Sequence, residues 1–284
     1  MADTLLPRYK VDASGEIVPD VRAAAAIIYD PDSKEVLWEE NSQSQRSIAS
    51  ITKVMTATVF LENNPDLSQP VVMMKSDVFR ASTTYLKLND RVAVDDLLHL
   101  LLIASDNAAA RALARVSPYG TEGFIRRMNE KAAELGLQST SYADPSGLLS
   151  DNVSSAFDMA QLITNASSDE RISSIMRLPE YTIYTGNRRV ITIHSTNHLL
   201  GREDLEVRAA KTGFIGKSGY CLATLLRLPS AAHDGHEVAV VVLGARSNAA
   251  RFMETRNLFS WLSVKASTIF ATKTGPVAVP QPQP

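Results

Sequence analysis

Apolar positions form short strand-like runs toward both ends of the chain and take helical spacing in its middle. Residues 21–29 and 35–38 are apolar runs separated by Asp30-Pro31-Asp32-Ser33, which predicts an N-terminal hairpin, because Pro and short polar side chains favour a turn. From 50 to 61, Ile51, Val54, Met55, Val59 and Phe60 fall mostly at helical spacings. The stretch 97–103 is apolar on nearly every side except at His99, the signature of a buried central helix. Further helices are predicted at 121–135 and 155–164, and a strand pair at 181–184 and 189–194. Strands return at 220–228 and 238–243, and an amphipathic helix at 249–264 closes the pattern before a Pro-rich end. Sheet segments on either side of a helical middle predict an α+β fold: an antiparallel sheet flanked by helices, an all-helical lobe, and a cleft between them. The expected divisions are an N-terminal extension over 1–20, one domain over 21–266 and a tail over 267–284.

Composition narrows the classes of partner. The 284 residues are 45% hydrophobic and 21% charged, enough to bury a sizeable core, and the net charge of -2 offers no electrostatic footprint for nucleic acid. No apolar run reaches the roughly 18 residues of a membrane span, and the first residues lack the apolar segment of a secretory signal. A soluble chain without a membrane anchor is expected. The single cysteine, Cys221, has no internal partner and reads as a small core side chain.

Three short motifs stand in order: Ser50-Ile51-Thr52-Lys53, Ser105-Asp106-Asn107 and Lys211-Thr212-Gly213. A three-residue step is nearly one helical turn, so Ser50 and Lys53 share a face and the amine reaches the hydroxyl. Ser150-Asp151-Asn152 and Ser195-Thr196-Asn197 also fit Ser-x-Asn, but Ser105 directly follows the buried helix, whereas Ser150 lies in a polar stretch. Lys-Thr-Gly recurs as Lys273-Thr274-Gly275, where the next residue is Pro276, which has no N–H to offer an oxyanion. The first copy precedes Phe214, runs into the strand 220–228, and its glycine is expected to let substrate lie against a strand edge.

With RSIASITKVMTA around Ser50 and AAKTGFIGKSGYCLAT around Lys211, the chain resembles the low-molecular-mass penicillin-binding proteins of the D-alanyl-D-alanine carboxypeptidase and endopeptidase family, in particular their short endopeptidase branch. The resemblance spans about 21–264. It implies the β-lactamase and DD-peptidase fold and a serine DD-peptidase that cleaves D-alanyl-D-alanine or D-alanyl-diaminopimelate crosslinks of peptidoglycan and is acylated by β-lactams. By that resemblance Ser50 is the nucleophile, Lys53 its base, Ser105 a proton relay toward the leaving nitrogen and Asn107 a holder of the substrate amide. Ser50 and Phe214 would supply the oxyanion N–H groups, and Lys211, Thr212 and Arg246 would receive the substrate carboxylate. A lysine acting as base at neutral pH needs a pKa well below its usual ~10.4, and burial together with the charge of Lys211 is expected to lower it. Neither metal nor organic cofactor is implied. The substrate implies a periplasmic location.

Two alternatives share these motifs. A class A β-lactamase needs a glutamate to activate the deacylating water, and no Glu occurs between Glu134 and Glu170, leaving only Asp144 or Asp151 as substitutes. A penicillin-binding sensor would acylate without turnover. His194 with His198 and His233 with His236 lack an accompanying acidic or cysteine set in sequence, so no zinc site is expected. His99 is expected as a hydrogen-bonded core residue. Gly216-Lys217-Ser218 lacks the leading glycine of a phosphate-binding loop.

Overall fold

The computed structural model describes residues 7–229 and 235–271. Its centre is a five-stranded antiparallel sheet in the order Glu206–Ile215, Gly219–Arg227, Glu237–Ala245, Ala25–Asp30, Glu35–Glu40. The chain therefore brings its two ends together: the N-terminal hairpin completes a sheet begun by the last three strands. The strand Glu237–Ala245 is buried on both faces, because helices cover both sides of the sheet. On one face Ile27, Ala223, Val241 and Leu243 join the core of the helical lobe. On the other Ile28, Leu222, Val240 and Val242 meet Phe252, Leu258, Phe259 and Leu262 of the closing helix Asn248–Ala271.

The lobe is built from Thr52–Leu61, Val94–Leu102, Asn107–Val116 and Gly120–Glu134, with Ala156–Ser167 lying between it and the sheet. The apolar helix is as central as its sequence predicts, with Leu97, Leu98, Leu100 and Leu101 all fully buried. His99 sits in this core, its Nδ1 bonded to the Asp95 carbonyl oxygen at 2.8 Å and its ring stacked on Tyr181. The strand pair Glu180–Tyr184 and Val190–His194 forms as expected.

The structure extends or corrects the sequence reading at three places. Ahead of position 21, Tyr9–Val11 and Ile17–Pro19 pair as a hairpin, tied to the closing helix by Trp261 Nε1 donating to the Ile17 carbonyl oxygen at 3.0 Å. Lys211-Thr212-Gly213 does not run into the strand Gly219–Arg227 but lies in a strand of its own, Glu206–Ile215, joined to it by a turn through Gly216-Lys217-Ser218. That strand escapes the sequence pattern because three charged residues, Glu206, Arg208 and Lys211, and a bulge between Val207 and Ala209 break its alternation. The helix Asn107–Val116 is the third, an alanine-rich segment capped by Asp106. The tail copy Lys273-Thr274-Gly275 and His233 lie outside the described residues.

Candidate active site

Ser50 stands on a single 3-10 turn, Ala49–Ile51, that leads into the helix Thr52–Leu61. Ala49 just before it has φ +48°, a left-handed conformation that costs a residue with a Cβ about 1–2 kcal/mol. Two glycines hold the turn in this shape. A Cβ on Gly147, itself at φ +80°, would lie 2.1 Å from the Ala49 carbonyl oxygen, and one on Gly213 would lie 2.6 Å from that of Ile48 and 3.1 Å from the Ser50 nitrogen. The missing side chain of Gly213 thus makes room for the nucleophile turn, a reason for that glycine that the sequence reading did not contain, and Gly213 also lines the cleft.

Lys53 is fully buried. Its Nζ lies 2.9 Å from Ser50 Oγ, and 2.6 Å from both Asn107 Oδ1 and the Ser146 carbonyl oxygen. A neutral amine has two N–H donors and one lone pair. Asn107 and Ser146 take the two donors, which leaves the lone pair for the Ser50 hydroxyl. Burial lowers the Lys53 pKa to about 7; the Asp106 and Asp144 carboxylates work against this and the Arg111 cation works with it. Lys211, expected to assist, is instead pushed far down itself, by burial and by the charges of Lys53 and Arg251.

Ser105 follows the buried helix in a left-handed conformation, φ +60°, which turns the chain between that helix and the next. Lys211 Nζ, buried in the edge strand, lies 2.9 Å from Ser105 Oγ and 3.1 Å from the Thr212 carbonyl oxygen. The three motifs are therefore linked through one lysine–asparagine contact, Lys53 with Asn107, and one lysine–serine contact, Lys211 with Ser105. A cleft of about 420 Å³ opens onto Ser50, Ser105, Asn107, Thr212, Gly213 and Phe214.

Arg246 does not join them. It is exposed at the end of the strand Glu237–Ala245 and does not line the cleft, whereas Arg251, one turn into the closing helix, does. Arg251 donates from Nη1 to the carbonyl oxygens of Gly213, at 3.0 Å, and Cys221, at 3.2 Å. Burial lowers its pKa to about 10, so it keeps its charge at neutral pH. Sequence reasoning passed over it because only the helical phase after Asn248 turns position 251, and not 246, toward the edge strand. Thr196 was seen only as part of a competing Ser-x-Asn. It lines the cleft and its hydroxyl lies 2.6 Å from that of Thr212.

The remaining candidates have structural partners. Asp144 accepts bonds from the Ser146 hydroxyl, the Gly147 N–H and the Asn152 amide, fixing the loop whose carbonyl receives Lys53. Asp151 is exposed and outside the cleft lining. Neither stands as a deacylating base, which removes the structural support for the β-lactamase alternative. Cys221 is buried. His236 meets Asp30 and Asp32, acids the sequence did not place beside it, with Nε2 3.0 Å from Asp30 Oδ1; that carboxylate already accepts from Ser33 Oγ and the Asp32 N–H in the hairpin turn.

An antiparallel sheet against a helical lobe, with a serine and a buried lysine one turn apart at their junction, defines the penicillin-interacting serine acyl-enzymes. The D-alanyl-D-alanine carboxypeptidase family matches residues 12–247. A D-alanyl-D-alanine endopeptidase of Haemophilus influenzae is 38% identical over 202 residues, 70% of this chain and 69% of that protein. The endopeptidase of Pseudomonas aeruginosa is 30% identical over 86% of this chain and 78% of its own. Among solved structures, the Streptomyces K15 DD-transpeptidase superposes with a TM-score of 0.78 at 26% identity, covering 86% of this chain and 97% of its own. Penicillin-binding protein D2 of Listeria monocytogenes, in its cefotaxime-bound form, does so at 0.73 and 28%, covering 86% and 98%. The chain belongs to the D-alanyl-D-alanine carboxypeptidase family, and it is a serine hydrolase.

Proposed function

We propose that the chain is a peptidoglycan DD-endopeptidase that opens crosslinks by way of an acyl-Ser50 intermediate. The observation that carries the reading is the fully buried Lys53 amine, 2.9 Å from Ser50 Oγ, with both N–H donors already engaged. An unperturbed lysine is neutral in only about one molecule in 2,500 at pH 7, whereas one with a pKa of about 7 is neutral in half. Burial therefore supplies about three orders of magnitude in usable base.

In this reading Lys53 takes the Ser50 proton as Oγ attacks the carbonyl of the D-alanyl residue. The oxyanion is received by the N–H groups of Ser50 and Phe214. Collapse breaks the bond to the leaving nitrogen, which takes, by way of the Ser105 hydroxyl, the proton that Lys53 accepted from Ser50, so that Lys53 returns to the neutral amine. Asn107 holds the substrate amide, while Lys211, Thr212 and Arg251 receive the carboxylate beside the leaving nitrogen. Water then attacks the ester, with Lys53 accepting its proton and returning it to Ser50 Oγ as the acyl–oxygen bond breaks. The carboxylate is present both at a stem-peptide terminus and in a crosslink through the D-centre of a diamino acid. The endopeptidase names of the relatives described above favour the crosslink. Such a substrate places the enzyme in the periplasm. Among the described residues no helix is long and apolar enough to cross a membrane.

Intact mass after brief exposure to benzylpenicillin tests the chemistry. A penicilloyl adduct that persists for minutes and is absent from Ser50→Ala is expected; no adduct, or rapid loss with drug consumption, overturns the reading. Incubation with crosslinked muropeptides should convert dimers to monomers. A protein that acylates but converts none is a sensor instead.

A further inference from the structure

The segment 79–91, which lies beside the catalytic cleft, has the sequence FRASTTYLKLNDR, and its only acid, Asp90, is buried. Arg80, Ser82 and Asn89 have φ of +50°, +61° and +66°, conformations that residues with side chains rarely adopt and that persist only where surroundings enforce them. The enforcement comes from the catalytic motif. Asn107 donates from Nδ2 to the Ala81 carbonyl oxygen at 2.7 Å and from its backbone to that of Thr83 at 3.0 Å, and the Asp106 carboxylate accepts the Tyr85 N–H at 2.7 Å. Arg111 donates to the Phe79 carbonyl oxygen, and Arg189 pairs with Asp90. The loop 185–189 is joined on by Gly186 N–H and Asn187 Nδ2, which donate to the carbonyl oxygens of Arg91 and Asn89.

The pinned backbone displays large apolar and cationic side chains to solvent, with Arg80 lying over the Phe79 ring at 5.2 Å from its centroid. Phe79, Tyr85 and Leu88 are 56%, 42% and 50% exposed. Arg80, Lys87, Arg91 and Arg188 are exposed and have no ion pair among the described residues, in a protein whose net charge is -2. Ser82 and Thr83 of the same segment line the cleft, so the surface is continuous with its mouth. A preorganised apolar and cationic rim matches a polymer that offers sugar faces to stack on and carboxylates to pair with.

We propose that this rim binds the peptidoglycan polymer outside the bond being cut: the glycan strand with the anionic stem peptides it carries. The inference rests on the cleft being a peptidoglycan site, and its test is independent of catalysis. Ser50→Ala protein is pelleted with purified sacculi freed of accessory anionic polymers, alone and with Lys87→Glu, Arg91→Glu and Arg188→Glu together, or with Phe79→Ser and Tyr85→Ser together. Each set is expected to weaken pelleting about tenfold, added salt is expected to weaken the Ser50→Ala parent, and in the Ser50 background benzylpenicillin acylation should stay within about twofold. Unchanged pelleting by the charge triple, pelleting that needs the accessory polymers, or acylation lost in parallel with pelleting overturns the proposal. Failure of the peptidase reading registers elsewhere, as a missing penicilloyl adduct on Ser50 while the rim still governs pelleting.

Discussion

Lys53 concentrates the chemistry in one side chain. Because the base is the neutral amine, the second-order rate of acylation by benzylpenicillin is expected to rise with pH through about 7 and to level off above it. A rate flat from pH 5 to 9 would mean that Lys53 is not the titrating base. Gly213 is the other residue at which one atom decides the outcome. In Gly213→Ala the new Cβ meets the Ile48 carbonyl oxygen at 2.6 Å, and the turn must move. We expect acylation to fall about a hundredfold, with a stability loss of roughly 1–3 kcal/mol. Stopped-flow acylation and thermal melting of the variant would measure both. The Lys-Thr-Gly motif was legible in the sequence, but the reason for its glycine was not, because the clash is with backbone more than 160 positions earlier.

Asp106 shows how an element can be tuned through its cap. Its carboxylate accepts the Ala109 N–H at 2.9 Å and the Tyr85 N–H at 2.7 Å, and so starts the helix Asn107–Val116 while pinning the neighbouring segment. Removing a cap of this kind costs about 1–2 kcal/mol, and leaving a second buried N–H unpaired adds about 1–3. Asp106→Ala is therefore expected to lower the melting temperature clearly. Because the Asp106 charge holds the Lys53 pKa up, the acylation midpoint of the same variant should move below about 7. A midpoint that stays or rises would separate Asp106 from the base. In the sequence this helix hid behind the apolar stretch ending at Ile103. Its signals, Asp106 before a run of alanines and an amphipathic pattern that sets Arg111 and Arg115 against a buried alanine face, were present in the sequence, but small alanine side chains announce a core face only weakly.

The whole molecule places residues from distant segments around one cleft. Arg251 comes from the closing helix, packs across the sheet edge and bonds the backbone of Gly213. Its loss should reduce kcat/KM for a carboxylate-bearing peptide by at least about thirtyfold, the expectation for truncating one partner of a buried charged contact. Arg246→Leu, at an exposed position, should change it less than about twofold. Equal effects in the two variants would return the carboxylate role to Arg246 or share it. The same scale explains why the β-lactamase alternative had to wait for the fold, since Asp144 was a candidate base until its bonds to Ser146, Gly147 and Asn152 were seen.

The sequence by itself determined the α+β plan, the buried central helix and the serine–lysine pairing, because all three depend on spacings of a few residues: period-two alternation, period 3.6, and one helical turn between Ser50 and Lys53. Only the tertiary structure decided which arginine enters the cleft, why Gly147 and Gly213 carry no side chain, and that Lys53 draws its low pKa chiefly from burial, because each is a contact between segments whose separation along the chain leaves no periodic trace. The five-stranded sheet is the physical reason. By pairing the hairpin Ala25–Asp30 and Glu35–Glu40 with the last three strands it joins distant parts of the chain, and the nucleophile turn comes to rest against an edge strand that local pattern had not resolved.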